Sequence, residues 1–381
     1  MANRHLRHWD IFCRVIDNFG DIGVSWRLAR QLASEYGVTV RLWVDHIGSL
    51  HALCPQVDCG APRQVVEGVA VFQYADAAEF STPADVVIEA FGCGLPPAYV
   101  ATMAARETPP VWIVLEYLSA EPWVRDHHGL PSPHPQTGLP RYFFFPGFTQ
   151  TTGGVLREAG LLARRDAFDV HGRRAGWARM GFDDVPQHAV AVSLFAYPHA
   201  PYQALLEVCA SGASPVVVAV AQGPLALRVR DHLQFHNGNR LRKGNLEVRF
   251  VPFVPQADYD ELLWGCDINF VRGEDSFVRA QWAGRPLVWH IYPQQENAHA
   301  AKLDAFLDLY THGLPAPAAK AVAGLWHAWN GMKYAPTFAD AWYAFNEVLP
   351  AQQQRLLQWQ QQLVETGDVA GNLLKFCQKR I

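Results

Sequence analysis

Short apolar runs alternate with segments of helical periodicity along most of the chain. Residues 11–16 read as a strand. A turn-forming segment, Asp17-Asn18-Phe19-Gly20-Asp21-Ile22-Gly23, follows, and residues 24–33 then carry their apolar positions at helical spacing. Further strands are expected at 38–44, 69–74, 85–90 and 111–116, with a helix at 97–106. The same grammar returns later, with strands at 189–195, 215–220, 246–250, 267–271 and 286–291. Helices are expected between them at 201–211, 224–233, 257–264 and in the run through Ala283. Such alternation predicts open, mostly parallel α/β sheets. Residues 351–379 read as one glutamine-rich helical segment, with Leu356, Leu357, Leu363 and Val364 on an apolar stripe. Between the two strand series, residues 122–154 form a connection rich in Pro, Gly and His, broken by the aromatic run 142–148 and expected to be a lid or irregular cap.

Length turns this repeat into two domains, because 381 residues exceed the size at which one hydrophobic core keeps growing. The turn-like Gly181-Phe182-Asp183-Asp184-Val185-Pro186 places the boundary near residue 184. The expected domains are therefore 1–184 and 185–354, and the last segment, about 355–381, is expected to return to the first domain.

Charge narrows the classes of partner. Thirty-two basic against 36 acidic side chains give a net charge of −4, with no basic stripe to neutralise a run of phosphates, which argues against nucleic acid. The first ten residues are polar and lack the apolar core of a secretory signal, and no stretch approaches a membrane span, so a soluble cytoplasmic protein is expected. Seven scattered cysteines read as reduced, buried thiols. His127, His128 and His134 lack the carboxylate partner and spacing of a metal site, and Trp112, Trp123 and Trp177 read as core.

Two turns carry candidate chemistry. Asp17, Asn18, Gly20, Asp21 and Gly23 lie between a strand and a helix, where open α/β sheets place their ligand crevices. Glycines allow close backbone approach, and the two aspartates can accept protons or hold a cation. The competing reading is a helix cap with exposed acids. Arg272-Gly273-Glu274-Asp275-Ser276-Phe277 repeats the placement and would aim backbone amides and one cation at an anion such as a diphosphate; an acidic N-capping turn is the alternative. Phe253 and Gln256, at the end of another strand, put a ring and an amide where a planar base could bind, although Phe253 alone also suits a core. Polar groups from Tyr292 to His299 follow the last strand of that sheet, and they suit either ligand contacts or the start of a helix.

The opening run Trp9-Asp10-Ile11-Phe12-Cys13-Arg14-Val15-Ile16-Asp17-Asn18-Phe19-Gly20-Asp21-Ile22-Gly23-Val24-Ser25-Trp26-Arg27 resembles the start of the EarP family, the protein-arginine rhamnosyltransferases of elongation factor P. A second block, Phe270 to Trp282 with Pro286 and Trp289-His290-Ile291-Tyr292-Pro293-Gln294, is similar to that family's donor-binding half. The resemblance implies a GT-B fold of two Rossmann-like domains facing each other across a cleft. It further implies an inverting, metal-independent transfer of rhamnose from TDP-β-L-rhamnose to one arginine of elongation factor P, with no cofactor. The N-terminal domain would receive the protein acceptor, and the C-terminal domain would hold the nucleotide sugar. On matching positions, Asp21 would be the general base and Asp17 the second carboxylate. Phe253 and Gln256 would read the thymine, with Phe195 beside them, while Arg272, Glu274, Asp275, Ser276 and Tyr292 would surround ribose and diphosphate. Asn18 and Gly20 join the expected donor contacts. Two rival readings stay open: a GT-B enzyme with another donor or a small acceptor, and a non-catalytic nucleotide-sugar-binding protein. A nicotinamide enzyme is disfavoured, because the first loop lacks the glycine spacing of a dinucleotide fingerprint.

Overall fold

A computed structural model describes residues 6–17, 19–74, 82–294 and 298–380. The chain forms two compact units, one of Met1–Ala159 with Gln362–Ile381 and one of Gly160–Gln361. The division falls ahead of residue 184. Trp177, Met180, Phe182 and Val185 are buried in one cluster with Ala191, Val217, Val251 and Leu262, so the helix Val170–Arg179 packs with the second sheet. A turn signal in the sequence marks a change of direction, whereas burial decides which core a helix joins.

The first unit holds an eight-stranded sheet of β1 (His8–Cys13), β2 (Thr39–Val44), β3 (Arg63–Val66), β4 (Val69–Gln73), β5 (Val86–Ala90), β6 (Val111–Leu115), β7 (Pro131–Pro133) and β8 (Pro140–Phe144). Its order is β3-β4-β2-β1-β5-β6-β8-β7. All neighbours are parallel except the two edge hairpins, β3 with β4 and β7 with β8. Glu67 and Gly68 join the first hairpin, both at positive φ, as a two-residue turn that follows the strand twist requires. The aromatic run expected in an irregular cap is therefore partly sheet: Trp112–Leu115 of β6 pairs in parallel with Arg141–Phe144 of β8. Local reading missed it because the run carries no alternation, and pairing with β6 and β7 is what makes it a strand. Trp123, expected in the core, is 46% exposed.

β1 is the centre of this unit, and it starts earlier than the polar N-terminal residues suggest. Trp9 and Asp10 are fully buried. The Asp10 carboxylate accepts from Arg41 Nε at 2.5 Å and Nη2 at 2.6 Å, from Trp43 Nε1 at 3.3 Å, from the Ala84 amide at 3.2 Å and from the Tyr99 hydroxyl. Five donors offset the desolvation of one buried anion and tie β1 to its surroundings.

The terminal segment is two helices, Leu349–Glu365 and Val369–Gln378. Gly367 at φ +79° ends the first, and Asp368 caps the second by accepting from the Gly371 amide at 3.0 Å. Of the expected stripe, Leu356 and Leu363 are buried while Leu357 and Val364 are exposed. Trp359 and Gln360 complete the buried face, Gln360 Nε2 donating to the Gln281 and Trp282 carbonyls. The last helix belongs to the first unit: Gln31 Nε2 donates to Asp368 Oδ1 at 3.0 Å, and Phe376 packs edge-on against Phe144 at 5.5 Å. Gly154, at φ +77°, passes so close to the Gly367 carbonyl that a Cβ would collide with it.

The second unit holds β9 (Val190–Leu194), β10 (Val216–Ala221), β11 (Arg240–Lys243), β12 (Leu246–Val251), β13 (Ile268–Arg272) and β14 (Leu287–His290). Their order is β11-β12-β10-β9-β13-β14, parallel except for β11 against β12. In each sheet the chain runs outward on one side of the first strand, then returns to its other side. The switch points are thus β1/β5 and β9/β13, and a Rossmann-type sheet binds ligands at the carboxyl ends of those strands.

Candidate functional site

The first switch point carries the aspartate loop. The helix Gly20–Tyr36 begins directly behind it, with Asp21 in the first turn. Asp21 is only 2% exposed. Its Oδ2 accepts from the backbone amides of Ile16 at 2.8 Å and Asp17 at 2.9 Å, and its Oδ1 accepts from the Tyr117 hydroxyl at 3.1 Å. Those amides precede the helix, so Asp21 folds the loop back onto itself; it does not serve as an exposed cap. Burial raises its pKa above the ordinary carboxylate value; the Asp17 and Ile16 amides and the Tyr117 hydroxyl oppose that rise, and the Asp17 charge adds to it. Asp17 is half-buried, and a Cβ on Gly20 would stand 3.0 Å from its Oδ2, so glycine is what lets the helix start so near the carboxylate. The described contacts of Gly20 are to Asp17, including its amide on the Asp17 carbonyl at 2.6 Å. Asn18 lies outside the described residues.

Two aromatic residues here carry no signal of their own in the sequence. Tyr117 follows β6, and its ring stacks on Phe91 at 4.5 Å. Phe91 follows β5 at φ +56°, a left-handed conformation that a bulky residue adopts only under constraint. Its amide donates to the Leu115 carbonyl at 2.6 Å, which anchors the stack to the sheet. Their position just past strand ends at a switch point is what could have pointed to them. Removing the hydroxyl in Tyr117→Phe is expected to lower the catalytic rate about tenfold, the order of one charge-assisted hydrogen bond. Because that bond opposes the rise in the Asp21 pKa, the acid limb of the pH–rate profile should also move to higher pH. A profile superimposable on that of the parent would exclude this role for Tyr117.

The second switch point gathers the other turn. Arg272, the last residue of β13, is 7% exposed. Its guanidinium lies over the rings of Phe195 at 4.7 Å and Tyr197 at 4.6 Å, both just past β9. Gly273 at φ +59° turns the chain into the helix Asp275–Ala283. The Ser276 hydroxyl closes the turn, donating to the Arg272 carbonyl at 2.5 Å and accepting from its amide at 3.1 Å. Glu274 occupies the N-cap position but does not cap through its side chain, so the helix start presents amides at the carboxyl end of the sheet. Gln256 Nε2 donates to Asp275 Oδ2 at 3.3 Å, which brings the turn after β12 against the turn after β13. Phe253 lies three residues earlier on that segment, half-buried, with its amide on Gln222 Oε1 at 2.8 Å. Tyr292 is 45% exposed and meets the Tyr197 ring edge-on at 5.6 Å. Side-chain and ring contacts thus join Gln256 to Asp275, and join Phe195 and Tyr292 to Arg272, the latter by way of Tyr197, with Ser276 bonded to the Arg272 backbone.

Other expectations resolve locally. His127 and His128 each pair with a nearby backbone group, and His134 pairs with Thr137 Oγ1 at 3.1 Å. Among the described residues no group of three or more His, Cys, Asp or Glu is placed to hold a metal ion, and no helix is long and apolar enough to cross a membrane. Six of the seven cysteines are buried and Cys59 is exposed, a departure from the expectation for all seven.

Two Rossmann-like units, each with a charged turn at the switch point of its sheet, fit the class of GT-B glycosyltransferases. Residues 9–378 match the model of the family described as elongation factor P (EF-P) rhamnosyltransferase EarP, and the chain belongs to that family. It is 49% identical over 373 residues to the protein-arginine rhamnosyltransferase of Pseudomonas putida, covering 97% of this chain and 98% of that one. The Pseudomonas aeruginosa protein of the same description is 45% identical over the same shares. A solved structure of EarP, described in connection with arginine glycosylation of EF-P, superposes with a TM-score of 0.68 at 36% identity over 98% of this chain and 99% of that one.

Proposed function

We propose that this chain transfers L-rhamnose from TDP-β-L-rhamnose to an arginine side chain of elongation factor P, with inversion at the anomeric carbon. The observation that carries the reading is the buried, hydrogen-bonded Asp21 beside the half-buried Asp17 at a switch point, within a chain of the EarP family. A guanidinium is protonated at neutral pH and its lone pairs are delocalised, so it is a poor nucleophile until its charge is drawn away. Asp17 would hold and polarise the guanidinium. Asp21 would accept the proton that the attacking nitrogen loses.

In the displacement a C–N bond forms at the anomeric carbon as the bond to the diphosphate oxygen breaks, which inverts the configuration. The electron pair leaves with TDP. Arg272 and the amides at the start of the helix Asp275–Ala283 would stabilise that charge. Phe253, Gln256 and Phe195 would receive the thymine, and Glu274, Asp275, Ser276 and Tyr292 would contact ribose and diphosphate. Asn18 and Gly20 remain proposed donor contacts from the aspartate loop. In this reading the unit of Met1–Ala159 with Gln362–Ile381 receives the protein acceptor, and the unit Gly160–Gln361 the donor.

Incubation with TDP-rhamnose and elongation factor P is expected to add one deoxyhexose mass to the acceptor at a single arginine, read by intact-protein and peptide mass spectrometry. An unmodified acceptor alongside consumed donor would point to a different acceptor and overturn the proposal.

A further inference from the structure

Three histidines collect beside the Arg272 turn from three different elements. His290 ends β14, paired in register with Arg272. It is buried, and its Nδ1 accepts from the Tyr197 amide at 3.2 Å. His299 lies in the helix Ala298–Thr311, where its Nδ1 accepts from the Gln294 amide at 3.2 Å. A nitrogen that accepts from a backbone amide cannot also carry a proton, so Nδ1 is the acceptor in both of these rings and Nε2 carries the hydrogen. His199 differs. It is exposed, its ring lies parallel to that of Tyr197 at 5.8 Å, and it meets His290 edge-on at 4.7 Å.

The groups around His199 favour its neutral form in the free protein. Partial burial and the nearby His299 hold its pKa below the ordinary value. His290 is driven further down, to about 3, by burial first and then by His199, Arg272 and His299. Tyr197, between Arg272 and this group of rings, also meets Tyr292. The cluster thus concentrates one permanent cation and three imidazoles with one proton-accepting position left on an exposed ring. An anion placed there reverses the balance, because it favours imidazolium where neighbouring cations opposed it.

We infer that His199 is a further anion-contacting residue of the donor site, and that capture of the nucleotide sugar takes up a proton on its imidazole. This rests on the reading of the Arg272 turn as the diphosphate site. The sign follows from linkage. When binding adds a proton to the protein, affinity rises as pH falls from the pKa of His199 in the complex to its lower value in the free protein, and it is flat on either side of that interval.

The test is calorimetric titration of the intact protein with TDP-rhamnose in the absence of acceptor, in buffers of different ionisation enthalpy at pH 6, 7 and 8. A sugar nucleotide is the suitable probe because its diphosphate is a diester; a terminal phosphate would titrate near pH 6 and add protons of its own. For the parent protein the apparent heat is expected to change with buffer in the sense of proton uptake, with affinity several-fold higher at pH 6 than at pH 8. In His199→Gln the buffer dependence should vanish and the affinity should become flat with pH at the parent's weaker, alkaline level. Binding with buffer-independent heats, or uptake that survives in His199→Gln, would overturn the role of His199 and leave the diphosphate reading standing. Failure of TDP-rhamnose to bind at any pH would sink both.

Discussion

Asp21→Asn is expected to bind TDP-rhamnose as tightly as the parent protein and to rhamnosylate elongation factor P about a thousandfold more slowly, within the range for loss of a general base. The substitution suits the question because it spares the loop. An Asn side-chain oxygen can still accept from the Ile16 and Asp17 amides, and its NH2 can donate to the Tyr117 hydroxyl oxygen. Only the charge and the basic lone pair are lost. Burial is the first cause of the raised Asp21 pKa, so the folded protein disfavours the anion. A carboxylate raised in this way contributes stability that is present below its unfolded pKa and is lost as pH rises through the folded one. Near neutral pH Asp21→Asn should therefore melt no lower than the parent, in contrast to a variant that merely unfolds the site. The same shift places the acid limb of the parent's pH–rate profile above the ordinary carboxylate range. Single-turnover rates with saturating donor, measured beside the melting temperature, decide the matter: a rate near the parent's would remove Asp21 from the chemistry.

Arg272→Ala should fail in the opposite manner, with the KM for TDP-rhamnose rising about a hundredfold, the order of two hydrogen bonds from a cation to an anion. The guanidinium sits over Phe195 and Tyr197 and ends the strand at the second switch point, so its loss removes charge and a stacking surface together. Arg272→Lys separates the two. It restores a cation but neither the planar fork nor the stack, and is expected to recover only part of the affinity. Thymidine without the diphosphate provides the control, since its binding should change little in either variant. An unchanged donor KM in Arg272→Ala would move the diphosphate site elsewhere in the unit.

Both predictions concern residues that stand out in the amino-acid sequence itself, and the reason is physical. Asp17–Asp21 and Arg272–Ser276 sit where an apolar run gives way to glycine and acid and then to helical spacing, a pattern set by backbone sterics within a few residues. The strands at 86–90, 111–115, 190–194 and 216–221 are legible for a similar reason, being short apolar runs between turn residues. The edge strands β3, β7 and β11 are not. Their sequences, RQVV, PSP and RLRK, carry no alternation that would announce them, and pairing with a neighbour makes them strands. Leu357 and Val364 show the corresponding limit for helices, since helical spacing places apolar residues on one side but does not say how wide the covered face will be.

From sequence alone came the order of strand, loop and helix, the two-domain Rossmann grammar, the family and the two charged turns, because each depends on neighbours along the chain or on a contiguous motif. Tertiary structure alone decided the environment of those turns. Tyr117 reaches Asp21 across 96 positions and Tyr197 reaches His290 across 93, and both meetings require a sheet to bring distant strand ends together. Whether an aspartate is an exposed cap or a buried carboxylate with a raised pKa depends on the water and the donors that packing leaves around it. That is how the aspartate loop, ambiguous as a string of residues, became a base candidate held by two amides and a tyrosine.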